Sequence, residues 1–247
     1  MTCINMRYLH LVVLLIFTLG CSTDGEEGIT LRQAIGNKEI VLDNIISCAA
    51  SNENDNLISV FLYPRNNVSN ISYFETANAE VDKNDLNNYV EVTAPLLDVF
   101  NGYLLKFELE ISEEKWVIVS FEEDGKIHLS NPIRLKQISK PTEYLPQNIG
   151  IDRTEVAMPV FNWQDGSYDD TKIYFQVVAN EENTLLSGTY TFERTFQYYE
   201  LDNVVLNITE GVPPMLLQDN GYSFSLLGVS EDNWVNMFSV IEFDLTP

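Results

Sequence analysis

Side chains able to do acid–base or nucleophilic chemistry are scarce in this chain. It has 247 residues and two histidines, His10 and His128. Histidine is the side chain best placed to exchange protons near neutral pH, so its scarcity limits the reactions available. His10 lies in an apolar N-terminal run. His128 lies on a β-prone segment, where an exposed sheet position is expected. Without a histidine partner no Ser–His or Cys–His pair can be assembled. The cysteines are Cys3, Cys21 and Cys48, too few for a disulfide framework and wrongly spaced for a zinc site. Cys48 sits in Ile45-Ile46-Ser47-Cys48-Ala49-Ala50 and is expected as an inert core thiol. No glycine-rich phosphate loop or nucleotide fingerprint is present.

Carboxylates are abundant, with 37 Asp+Glu against 14 Lys+Arg and a formal net charge of −23. That balance excludes nucleic acid and anionic headgroups as partners, because neutralising phosphates requires clustered Lys and Arg. Glu113-Glu114, Glu122-Glu123, Asp169-Asp170 and Glu181-Glu182 are adjacent pairs in expected turns. Neighbouring side chains diverge, whereas a glycosidase needs two carboxylates facing one bond across roughly 5–9 Å. Solvated turns are therefore expected, and no enzyme. Calcium is the one cofactor these residues suggest. Asp165, Asp169 and Asp170 cluster oxygen ligands in one loop, and Asn52, Glu53, Asn54 and Asp55 do so in another. Neither follows an ordered cation-loop motif. Among aromatics, Trp163 with Tyr168, Tyr198 and Tyr199 would stack on a sugar or form a protein hot spot if exposed. Core packing is the plainer expectation for Trp116, Trp163 and Trp234.

The elements that must position these groups begin after an N-terminal address. Residues 1–20 carry one charge, Arg7, and then Leu11-Val12-Val13-Leu14-Leu15-Ile16-Phe17, too short to span a bilayer. Thr18-Leu19-Gly20-Cys21 resembles a bacterial lipobox, with the small Gly20 in place and Thr18 where the family usually has leucine. The resemblance implies cleavage before Cys21 and lipid on Cys21. Loss of Arg7 would take the charge from −23 to −24. Ser22-Thr23-Asp24-Gly25-Glu26-Glu27 follows as a solvated tether. It is similar to the acidic surface-export signal of Bacteroidota lipoproteins, and Ser22 beside Cys21 to the pattern sent to the outer membrane. A lipid-anchored, surface-exposed outer-membrane protein is implied.

Past the tether the pattern is β throughout. Tyr103, Leu105, Phe107, Leu109 and Ile111 alternate with more polar residues, the period-2 signature of a half-buried strand. Trp116-Val117-Ile118-Val119-Ser120-Phe121 is apolar on both faces, as in a central strand. Asp124-Gly125 marks a tight hairpin that needs positive φ, and Pro132 an edge or bulge. A unit recurs. Asn101-Gly102-Tyr103 leads to Ser112-Glu113-Glu114-Lys115-Trp116-Val117, and Asn220-Gly221-Tyr222 to Ser230-Glu231-Asp232-Asn233-Trp234-Val235. The two tryptophans lie 118 residues apart, about one sandwich domain. The division expected is a signal peptide over 1–20, a tether over 21–27, a first domain over 28–138, a two-proline linker over 139–148 and a second domain over 149–247.

The run from Val117-Ile118-Val119 through Asp124-Gly125 to Ser130-Asn131-Pro132-Ile133 resembles the closing hairpin of a fibronectin type III domain. Leu97 before Tyr103, and Leu216 before Tyr222, resemble the tyrosine corner of Ig-like sandwiches, where the phenol bonds back to the preceding turn. Phe161-Asn162-Trp163 with the tether resembles the Ig-like modules of Bacteroidota surface lipoproteins, including the SusE-type group. The fold implied is all-β, two tandem fibronectin type III/Ig-like sandwiches after a lipoprotein signal peptide. The role implied is binding, adhesion or scaffolding through a surface protein or a glycan. A glycan-binding accessory of a nutrient-uptake system is the alternative, and a carboxylate hydrolase the remote one.

Overall fold

Apolar residues at alternate positions need a sheet to face, and each segment that carries them finds one. A computed structural model of the chain describes residues 28–155 and 157–246. Cys21, the signal segment and the tether lie outside those residues. A short helix α1 (Leu31–Ile35), held by a Thr30/Gln33 capping box, opens the first body. Ten strands follow: β1 (Ile40–Ile45), β2 (Ser47–Ser51), β3 (Leu57–Leu62), β4 (Ser69–Glu75), β5 (Val90–Glu91), β6 (Leu96–Val99), β7 (Leu104–Glu110), β8 (Trp116–Glu123), β9 (Lys126–Ser130) and β10 (Ile133–Arg134). One sheet runs β2-β3-β7-β6; the other runs β1-β9-β8-β4-β5, with β10 on β8. This is the A-B-E-D sheet of an Ig-like sandwich facing a G-F-C-C′ sheet. Asp124 and Gly125 both have positive φ, so the β8–β9 hairpin turns as expected. Asn131-Pro132 interrupts the closing strand before β10 rejoins β8.

The second body has β11 (Glu143–Tyr144), β12 (Ile149–Asp152), β13 (Val160–Trp163), β14 (Thr171–Asn180), β15 (Leu185–Thr191), β16 (Thr195–Gln197), β17 (Val204–Asn207), β18 (Tyr222–Ser230) and β19 (Val235–Phe243). They form the sheets β12-β13-β16 and β11-β19-β18-β14-β15-β17. Both bodies share one device. The first strand is split, its first half pairing in parallel with the closing strand (β1 on β9, β11 on β19) and its second half crossing to the opposite sheet (β2 on β3, β12 on β13).

The twin Asn-Gly-Tyr units are not equivalent. The first lies between β6 and β7, where Phe100, Asn101 and Gly102 all take positive φ; the second opens β18, and neither Asn220 nor Gly221 does so. Any strand–turn–strand of a sandwich repeats this apolar alternation, so the unit matched itself one strand out of step. Only Tyr222 is a tyrosine corner. Its hydroxyl accepts a hydrogen bond from the Leu217 N–H at 2.7 Å over buried Leu216. Leu97 is exposed, and Tyr103 points to the other body. Its phenol donates to the Ile208 carbonyl and accepts from the Glu210 N–H at 3.0 Å, against a stacked Tyr63 ring. The two bonds join the sandwiches, and burial pushes the phenol up to about 12.

Four apolar layers alternate with the sheets. Leu31 and Ile35 of α1 cover the outer face of β8 at Trp116 and Ile118. Val117, Val119 and Phe121 face Ile58, Val60 and Leu62 inside the first sandwich. Cys48, Ala50 and Leu104 face Phe175, Val177 and Leu227 between the sandwiches. Phe161, Tyr174 and Phe224 fill the second sandwich. The β14 alternation thus feeds two cores at once, Phe175 and Val177 on one face and Tyr174 and Val178 on the other. Interdomain motion is the default only where such a face is small or polar. Here it is apolar and continuous, so the two sandwiches form one body.

The 139–148 segment joins that body rather than spacing it. It contains β11, which pairs with β19. The Thr142 hydroxyl accepts from the Ser51 N–H at 3.0 Å and donates to the Val235 carbonyl at 2.8 Å. Tyr144 donates to the Ser51 carbonyl at 2.8 Å. The β18–β19 turn seals the junction: Ala49 N–H donates to Asn233 O and Arg134 N–H to Asp232 O, each at 3.0 Å. Trp234, from the second body, is fully buried in the core of the first, and its indole N–H donates to Lys140 O at 2.7 Å.

Candidate functional site

Of the four aromatic residues expected as a stacking platform, two are core. Trp163 projects from β13 into the second sandwich, its ring 5.3 Å from that of Tyr174. Tyr198 is fully buried and donates to Pro214 O at 2.6 Å. The alternation along β13 and β16 turns both rings inward, where an apolar ring is stabilised by leaving water. Tyr168 is half-buried beneath the Lys140 ammonium, 4.6 Å from its ring centroid. Tyr199 alone is exposed, with φ 75°, a conformation uncommon for a residue with a Cβ. The four rings do not converge on one surface.

The calcium expectation meets a similar division. Asp165 accepts from Tyr174 at 2.5 Å and from the Arg194 guanidinium at 2.5 and 3.0 Å. Asp170 accepts from Lys140 and, at 2.8 Å, from Asn236; the Lys140 hydrogen bond holds its carboxyl below the usual range. Asp169 is exposed beside them. Two of the three carboxylates are thus neutralised by different cations. In the other loop, Asp55 caps the Leu57 N–H at 2.8 Å and Asn52 accepts from the Ser59 hydroxyl at 2.8 Å, which are turn-closing contacts. Among the described residues no group of three or more His, Cys, Asp or Glu side chains is placed to hold a metal ion.

His128 is buried rather than exposed. It lies on β9 against Phe121, with Nδ1 2.6 Å from Asn44 Oδ1 and 3.0 Å from the Arg65 guanidinium. Arg65 in turn donates twice to Glu123, at 2.7 and 3.1 Å, a fork geometry suited to a carboxylate. This network ties β1, β8 and β9 to the segment before β4. A general base needs an unengaged nitrogen facing a substrate, and this ring is enclosed.

A crevice of about 60 Å³ remains between the sandwiches, lined by Cys48, Phe61, Leu104, Phe175, Tyr190 and Phe238. Small-molecule sites start near ~300 Å³, so it is a packing defect of the interdomain layer. Burial pushes the Cys48 thiol up to about 12, and thiolate is the reactive form. In the folded protein Cys48 is expected to react with a disulfide reagent at pH 8 at least about a hundredfold more slowly than free cysteine. Stopped-flow labelling with and without denaturant checks this; prompt labelling of the folded chain would show the layer to be open.

The surface feature that stands out was invisible as such in the sequence. Among the described residues, eight of the fourteen large apolar side chains that are exposed fall within residues 192–217: Phe192, Tyr199, Leu201, Val205, Leu206, Val212, Met215 and Leu217. Val212 is 76% and Met215 70% exposed. Large exposed apolar surface marks interaction sites far more often than scattered single residues do. The segment runs from β15 through β16 and β17 to the tyrosine corner, which fixes its far end.

The strand orders alone establish the fold. No family model matches the chain, and no curated protein does. Among solved structures, the FN1–FN3 domains of chicken CNTN1 are similar at 12% identity with a TM-score of 0.30, over 84% of this chain and 68% of that one. A cytokine receptor complex is similar at 12% identity with a TM-score of 0.28, over 75% of this chain and 90% of that one.

Proposed function

We propose that the chain is a non-enzymatic binding module, anchored by lipid on Cys21 to a bacterial outer membrane and exposed at the cell surface. The observation that carries this reading is the gathering of exposed apolar side chains over residues 192–217 on a scaffold whose other aromatics are engaged in cores. A protein partner fits better than a glycan, because Trp163 and Tyr198 are unavailable for stacking and the exposed residues are mainly aliphatic. The acidic body, kept in water by its charge, suits a module held off a membrane by a tether.

Two experiments test the reading. Cys21→Ala is expected to move the protein from the membrane fraction to the soluble fraction; unchanged detergent partitioning would refute the anchor. Replacing Val212, Met215 and Leu217 together by serine should leave the melting temperature within a few degrees, because all three side chains are exposed. It should also abolish cross-linking of the wild-type protein to its envelope partners. Retained cross-linking with a folded variant would refute this surface as the binding face.

A further inference from the structure

β17 is an outer edge of the six-stranded sheet, with β15 on one side and no strand on the other. Ile208 N–H donates to Gly188 O, and Leu206 lies opposite Tyr190. Antiparallel alternation therefore directs the backbone groups of Leu206 and Ile208 toward β15, and those of Val205 and Asn207 outward. Edge strands are normally guarded by a charge, a proline or a cover. β17 reads Val204-Val205-Leu206-Asn207, with neither charge nor proline. The strand that ends the other side of this sheet, β11, carries Glu143. Val205 and Leu206 are 47% and 42% exposed, on opposite faces of the strand.

The charge around this edge is one-sided. Residues 192–219 hold five acids, Glu193, Glu200, Asp202, Glu210 and Asp219, and one base, Arg194, which is paired to Asp165. Asp202 precedes β17 and Glu210 follows it, and both are exposed. A second copy docking edge to edge would set these acids against each other in a chain of net charge −23.

Resting on the binding-module reading, we propose that the free edge of β17 takes up an extended segment of a partner protein as an added strand, apolar at its centre and flanked by Lys or Arg. The open N–H and C=O groups of Val205 and Asn207 would supply the ladder, Val205 and Leu206 the apolar contacts, and Asp202 and Glu210 the selection for basic flanks.

The probe is a capped synthetic peptide with a central Val-Ile-Val run and lysines on both sides, titrated into the full chain while amide hydrogen exchange is followed. Protection is expected at Val205 and Asn207. Affinity should fall at least about tenfold when glutamate replaces the peptide's lysines. Val205→Pro should cost as much, since it removes an outward N–H and no bond to β15. Val205→Lys is the second variant, giving the same loss by like-charge repulsion without any backbone change. Absence of binding, or binding without protection at Val205 and Asn207, overturns the strand-docking proposal. Neither result touches the serine-variant cross-linking that tests the module reading. Concentration-dependent protection of these amides without peptide would identify a second copy as the occupant and overturn the partner assigned here.

Discussion

Trp234→Ala is expected to lower the stability of the whole chain by about 3–5 kcal/mol, the range for truncating a buried large aromatic. The side chain belongs to the β18–β19 turn of the second sandwich, but the pocket that holds it is in the first, among Ala49, Ile133 and Leu135. Its removal also leaves Lys140 O without the indole donor. Both sandwiches should lose stability together, in one calorimetric transition lowered by roughly 10 °C for a body of this size. Two separated transitions, with only the second sandwich shifted, would show that the tryptophan does not couple them.

Val177→Asp is expected to part the sandwiches. Val177 is buried in the layer between them, flanked by Phe175 and facing the β2–β3–β7 sheet. A carboxylate there has no cation in reach, and burying an unpaired charge is costly enough to shift its protonation. A destabilisation of about 3–5 kcal/mol is expected at pH 7, with Cys48 becoming reactive as the layer opens. The pH dependence has a definite sign. Burial would raise the folded-state pKa of the new carboxyl above its unfolded value, so the penalty relative to wild type is full above the folded pKa and shrinks as pH falls toward the unfolded one. The difference in melting temperature between variant and wild type should therefore narrow between pH 7 and pH 4. A difference independent of pH would mean that the side chain reaches water.

Much of the first sandwich was legible because its signals are local. Asp124-Gly125 and Pro132 set the closing hairpin wherever the rest of the chain goes, and Tyr222 with Leu216 set the corner. The layer between the sandwiches was not legible. Phe175 and Val177 alternate with Tyr174 and Val178 as residues of any strand apolar on both faces do, and periodicity does not say what covers the second face. β11 was hidden because two strand residues between Pro141 and Pro146 look like a linker; their strand character comes from pairing with Met237 and Phe238, far away in sequence. Trp163 and Tyr198 could not be placed inside or outside without knowing how β13 and β16 pair. The exposed run over 192–217 was missed for the converse reason. Val205, Leu206, Val212, Met215 and Leu217 have the composition of core, and only the sheet order reveals that nothing lies beyond them. The interspersed Glu200, Asp202 and Glu210 were the one local hint.

The layered arrangement also sets a direction. The described chain begins beside α1, on the outer face of the first sheet, and the sheets then follow one another with an apolar layer between each pair. Face-to-face sheets lie ~10 Å apart, so three intervals put the last sheet about 30 Å from the first. Because the layers are fused through Trp234 and Tyr103, this distance does not flex as a hinged pair would. A chain held at its N-terminal end would act as a rigid strut, presenting the β16–β17 surface at a fixed height rather than sweeping it through a volume, which trades capture radius for a lower entropic cost once a partner arrives.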